Sequence, residues 1–202
     1  MIKYILAALV FGGLAGYFNG FWGSGVASGL VSDYLFNGSL MFLLFVMGLV
    51  FGMDRESMVK LKKIGVKVLV VPFAVGLGSI LGGLIGGLIL GINVIAGMAI
   101  CSGYGWYTLT GPLVTQIFGA ELGMLGFSVN FFRELLTITT ISLTVRLDKY
   151  APIAVGGATT MDTTLPVIVR YCGSDSLITA FSSGFALSAA APFTIMAIAS
   201  LR

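Results

Sequence analysis

Ser102-Gly103-Tyr104-Gly105-Trp106-Tyr107-Thr108-Leu109-Thr110-Gly111-Pro112 interrupts an apolar stretch that runs from Asn93 to Gly119. Its density of glycine, hydroxyl side chains and proline is too high for a regular span. Non-helical backbone persists at membrane depth only where protein buries it or where it lines a wet cavity. A second stretch, Pro152 to Gly173, has the same character around Gly156-Gly157-Ala158-Thr159-Thr160-Met161-Asp162-Thr163-Thr164-Leu165-Pro166. Two breaks in one apolar chain predict a site where broken elements meet.

The solvent is decided by composition. Of 202 residues, 57% are hydrophobic and 9% charged, whereas a soluble domain carries about 25% charged residues. Mean hydropathy is +1.05. The expected class is an all-α integral membrane protein, not an enzyme. It has about five transmembrane helices plus two re-entrant, discontinuous helical hairpins. The spans run near residues 2–22, 34–53, 66–91, 122–145 and 177–201. Glycine is abundant, with Gly12, Gly16 and Gly20 in the first span. In the third, Gly78, Gly82 and Gly86 form one ridge, and Gly83, Gly87 and Gly91 another. Such stripes let helices approach closely. The net charge of +3 does not indicate nucleic acid, because the basic residues cluster in one loop, Lys60 to Lys67, after Asp54 and Glu56. That loop is expected in the cytoplasm, with the N-terminus, and the C-terminus outside. There is no histidine, and Cys101 and Cys172 lack metal or disulfide spacing.

Shifting the chain by 54 residues brings Gly103 onto Gly157, Thr110 onto Thr164, Pro112 onto Pro166 and Gly119 onto Gly173. Residues 1–202 then read as one membrane domain: a three-span scaffold (1–91), then a hairpin and span (92–148), then a second hairpin and span (149–202). If the loops at 54–67 and 146–149 are both cytoplasmic, the hairpins enter from opposite faces and the repeat is inverted, a recurring secondary-transporter plan. If both stretches cross fully, the repeat is parallel.

Asp162 is the first candidate for chemistry. It is a carboxylate in an apolar stretch, beside Thr159, Thr160 and Thr163, and a charge at the bilayer centre costs about 2.5–3.5 kcal/mol. Capping the half-helix that leads to Pro166 is its other reading. Arg133 and Glu134 lie mid-span, about 100° apart around the helix. They serve either a ligand or an internal ion pair, and Asn130 extends the same polar path. Ser102, Gly103 and Thr108 offer hydroxyls and backbone at the first break. Tyr104, Trp106 and Tyr107 either wall a pocket for an ammonium or anchor the interface.

The run Ser102 to Gly111 resembles the S-G-[FY]-G-W-Y-[ST]-L-[ST]-G signature of the bacterial lysine exporter LysO family. Phe132-Arg133-Glu134-Leu135 is similar to its A-R-E-L, and Gly157 to Pro166 to its G-A-T-S-M-D-F-T-L-P. The resemblance covers roughly residues 40 to 202. It implies a secondary transporter exporting L-lysine and toxic lysine analogues across the cytoplasmic membrane, with the intramembrane carboxylate at Asp162. No cofactor is implied. The expected coupling ion is H+, with Na+ as the alternative. Long members of the family carry a further N-terminal block of about three spans, so the resemblance also implies a homodimer or a small three-span membrane partner. A passive channel, or a subunit working only with a partner chain, is the other reading of function.

Overall fold

The computed structural model describes residues 70–202 continuously and scattered positions between 10 and 53. The first two expected spans therefore lie largely outside the described residues, and Asp54, Glu56 and the basic loop lie wholly outside them. Residues 1–50 form one compact unit and residues 51–202 a second, which holds both interrupted stretches.

The described part of this second unit is helical: α1 (Val70–Leu90), α2 (Val94–Cys101), α3 (Tyr107–Phe118), α4 (Ala120–Leu147), α5 (Ala151–Gly156), a 3₁₀ turn (Gly157–Met161), α6 (Leu165–Cys172) and α7 (Ser176–Ala199). At 1.5 Å per residue, α1, α4 and α7 are about 30–42 Å long, enough to cross a bilayer core of about 30 Å. The elements of the two interrupted stretches are only about 9–18 Å long. Each stretch is a pair of short helices around a break.

Local chemistry sets the boundaries. Asn93 caps α2, its Oδ1 accepting from the N–H groups of Ile95 (2.9 Å) and Ala96 (3.2 Å). Pro152 and Pro166 occupy the first turns of α5 and α6, where a missing N–H costs nothing. Glu121 in the first turn of α4 and Arg146 in the last suit the helix dipole. The first break is shorter than its composition suggests. The helix resumes at Tyr107, and Pro112 lies inside α3. The Trp106 carbonyl accepts both the backbone N–H (2.9 Å) and the hydroxyl (2.7 Å) of Thr110, which secures the first turn ahead of the proline.

The two glycine ridges of α1 have different fates. Gly83 lies against Gly97 of α2 so closely that a Cβ on either would meet the other's carbonyl, and a Cβ on Gly87 would lie 3.1 Å from Val94 Cα. Gly78, Gly82 and Gly86 face open space among the described residues. Phe73, Leu77, Leu81, Ile85 and Leu88 are exposed along the same helix. An apolar helix open on one side suits lipid.

Candidate functional site

The two breaks cross against α4. At the first, Tyr104 takes φ = 55° and Gly105 φ = 104°, which turns the chain between α2 and α3. At the second, Gly157 takes φ = 63°. The Ala158 N–H donates to the Tyr104 carbonyl at 2.8 Å, joining one break to the other. A Cβ on Gly105 would come within 3.3 Å of both the Gly156 carbonyl and Thr159, and one on Gly157 would run into the Tyr104 carbonyl. Glycine at both positions is the condition for the crossing.

Most hydroxyls of the two breaks are occupied by backbone. Ser102 donates to the Ala99 carbonyl at 2.8 Å. Thr159 donates to the Gly156 carbonyl at 3.0 Å and shares a 3.2 Å hydrogen bond with Thr164. Thr160, fully buried, bonds the Gly157 and Ala180 carbonyls, each at 2.8 Å, and so ties the 3₁₀ turn to α7. Gly184 of α7 leaves room for that turn, since a Cβ there would come within 2.9 Å of the Ala158 carbonyl. Gly103 is buried where a side chain would strike Thr110 and Asn130. Thr108 is exposed and accepts from the Trp106 indole N–H at 3.0 Å.

Asn130 and Arg133 of α4 bind backbone too. The Asn130 Oδ1 accepts from the Gly105 N–H (2.7 Å), and its Nδ2 donates to the Ile100 (2.9 Å) and Gly126 (2.8 Å) carbonyls. The Arg133 guanidinium donates to the Val155 (2.8 Å) and Ala154 (3.0 Å) carbonyls and to the Ser79 hydroxyl of α1 (2.9 Å). It also lines a cavity of about 620 Å³ shared with Ser79, Asp148, Tyr150 and Ala154.

The acidic residues are placed differently. Asp162 is exposed, and its Oδ1 accepts the N–H of Thr163, also exposed, at 2.6 Å. The residue at the N-cap of α6 is Thr164, which makes no side-chain cap bond, so Asp162 stands two residues ahead of that position. Glu134 is half-buried, and its Oε2 has no hydrogen-bond partner among the described residues. Tyr107 lies within electrostatic range of both acids. Its phenol feels the charge of both Glu134 and Asp162, with Glu134 also within hydrogen-bonding reach. Its ring meets Phe127 (5.3 Å) and Phe131 (5.5 Å) edge-on. Residues 127, 131 and 134 lie on one stripe of α4, so this stripe carries two aromatic rings and one carboxylate.

The fold therefore sets Glu134 beside Tyr107, with Asp162 within electrostatic range of that phenol, and sets Ser102, Gly103, Tyr104, Thr159, Thr160, Asn130 and Arg133 around the crossing. Ser79, Ala180 and Gly184 take part as well, outside the residues expected from the sequence. The visible signal for the last was the small-residue run Ser182-Ser183-Gly184 in an apolar helix.

A sequence profile of the family described as "Lysine exporter LysO" matches residues 6–199. The chain belongs to the lysine exporter LysO family. The match begins well before residue 40, where the motif resemblance starts. The lysine exporter LysO of Escherichia coli is 36% identical over 159 residues, covering 78% of this chain and 52% of that protein. A putative lysine exporter of Haemophilus influenzae is 27% identical over 172 residues, covering 83% of this chain and 88% of that one. The chain thus spans about half the length of the first relative and most of the second. No solved structure matches. Membership in this family accords with the helical membrane protein that the composition indicates. Among its described helices, α1 and α7 are long and apolar enough to cross a membrane.

Proposed function

We propose that this chain forms the core of a secondary transporter that moves L-lysine and toxic lysine analogues outward across the inner membrane, in exchange for protons. One observation carries the reading: beside the crossing of the two breaks, Glu134 stands next to Tyr107 with its Oε2 unpartnered among the described residues, and Asp162 is exposed within electrostatic range of the same phenol. Lysine at neutral pH has two ammonium groups and one carboxylate. Asp162 and Glu134 supply acceptors for the ammonium groups, and the faces of Tyr107 and Trp106 supply cation–π contact. Competition between an ammonium and a proton for the same carboxylate oxygens would couple the two fluxes, which is the basis for proposing proton antiport. Na+ is the alternative coupling ion. The names of the two relatives support the substrate class.

On this reading each hairpin re-enters the membrane and the two hairpin-plus-span units are inverted copies, with the 54–67 loop cytoplasmic. Gly119 and Gly173, equivalent under the 54-residue shift, support the repeat: they end α3 and α6 with φ, ψ of 96°, 167° and 86°, 163°. The same reading gives the chain a partner, either a second copy of itself or a small three-span membrane protein.

Thermal stability of the purified chain with L-lysine, L-arginine and neutral amino acids, beside lysine efflux from proteoliposomes, tests the proposal. A lysine-specific stabilisation that is lost in Asp162→Asn is the expected result. Asp162→Asn protein that still exports lysine would sink it. Downhill movement with no response to an imposed pH or Na+ gradient would make the protein a passive channel.

A further inference from the structure

Asn130 and Arg133 stand about one turn apart on α4, and each is bound to a different break. Asn130 is buried, with all its polar groups engaged: it bridges the last turn of α2 and the Gly105 amide. Arg133 reaches across to the other hairpin. There α5 ends at Gly156 because Gly157 turns to positive φ, which leaves the last carbonyls of α5 without helical donors. The guanidinium supplies those donors to Ala154 and Val155, and puts a positive charge at the negative end of the short helix. Its planar fork suits two adjacent carbonyls, which a lysine ammonium would not match.

The column continues one turn further. Thr137 is buried, and a Cβ on Gly156 would lie 3.3 Å from its methyl group. A Cβ on Gly157 would lie 3.0 Å from the Arg133 guanidinium, so Arg133 packs directly over the point where the breaks cross. Glu134 follows Arg133 in the chain. The turn of α4 that Arg133 holds against the second break also carries Glu134, which stands beside Tyr107.

We propose that Asn130 and Arg133 are positioning residues, a pair of latches that hold the two breaks in register with each other and with the turn of α4 that carries Glu134. Three of the five guanidinium N–H groups are engaged, two on carbonyls of the second hairpin and one on the Ser79 hydroxyl of α1, and that hold, rather than reception of a substrate carboxylate, is the role assigned to Arg133. The exporter reading is needed only for the transport half of the test below.

Amide exchange at the two break segments, followed by mass spectrometry on the full chain in detergent, tests the latch without any substrate. Asn130→Ala is expected to raise exchange about tenfold at the first break and also at the second, because Ala158 is bonded to Tyr104. Arg133→Gln should do the same starting from the second break, with Arg133→Lys intermediate. Ser79→Ala, which removes only the α1 arm, should change exchange less than about threefold. Exchange unchanged at both breaks in the Asn130 and Arg133 variants overturns the proposal. If Arg133→Gln does not fold, Arg133→Lys and Asn130→Ala carry the measurement.

The transport half compares lysine with its decarboxylated diamine in proteoliposomes. A latch predicts lower maximal rates for both substrates, with their relative apparent affinities unchanged within about twofold, and partial rescue by Arg133→Lys. A loss of discrimination confined to the Arg133 variants would make Arg133 a carboxylate ligand and overturn the assignment. If the wild type moves neither compound, the exporter reading fails, and the exchange result still decides the latch.

Discussion

The two hairpins share a plan and differ in what their breaks are left to do. The first break is sealed. Ser102, Gly103, Tyr104 and Gly105 are buried, and an uncharged amide, Asn130, satisfies the backbone there. The second break is held by a charged guanidinium and by threonine hydroxyls, and it ends on two exposed residues, Asp162 and Thr163. An unsatisfied buried amide or carbonyl costs about 1–3 kcal/mol, so both breaks need partners. Only the second spends its partners in a way that leaves a carboxylate outside the network. On the exporter reading, the second hairpin presents a carboxylate, while the first contributes only the aromatic faces of Trp106 and Tyr107 beyond its sealed turn.

The comparison breaks first at Asp162. Asp162→Asn should abolish lysine efflux, while Ser102→Ala at the sealed break should keep most of it, both read in proteoliposomes at matched protein density. Equal losses would erase the division of labour. Next comes Gly157→Ala, which forces a side chain into left-handed backbone and against the Tyr104 carbonyl. A loss of about 3 kcal/mol or more is expected, read as a fall in melting temperature. Thr160→Val removes the hydroxyl that ties the second break to α7 and should cost about 1–2 kcal/mol. Val129→Ala, on an exposed α4 position, would serve as its control. The smallest effect sharpens the likeness between the hairpins. Gly119→Ala and Gly173→Ala should each cost about 1 kcal/mol and agree within about 0.5 kcal/mol, because the two glycines share one backbone conformation. A clear difference would count against the repeat.

The breaks were legible in the sequence because Gly, Thr and Pro at such density oppose a continuous apolar helix. Their partners were less so. Asn130 and Arg133 read as candidate ligands, since an intramembrane polar residue is a functional candidate by default. That each binds backbone depends on where residues 100–105 and 154–155 end their helices, which is a tertiary fact. Pro112 misled in the other direction: its helix survives because the preceding turn is closed by Trp106 and Thr110. Of the two glycine ridges on α1, periodicity identified both but had no means of saying which one α2 would meet.

Arg133 also bears on how the protein is made. Inserting an arginine at mid-membrane costs about 2.5–3.5 kcal/mol, and α4 is not among the described helices apolar enough to cross a membrane unaided. The carbonyls that receive its guanidinium belong to residues 154 and 155, which leave the ribosome after α4 does. This span therefore arrives at the translocon before its counterpart exists. A nascent chain halted at residue 148 should hold α4 poorly in the bilayer, and one extended through residue 172 should hold it well. The second hairpin would then complete the insertion of the helix before it as well as presenting the acidic site.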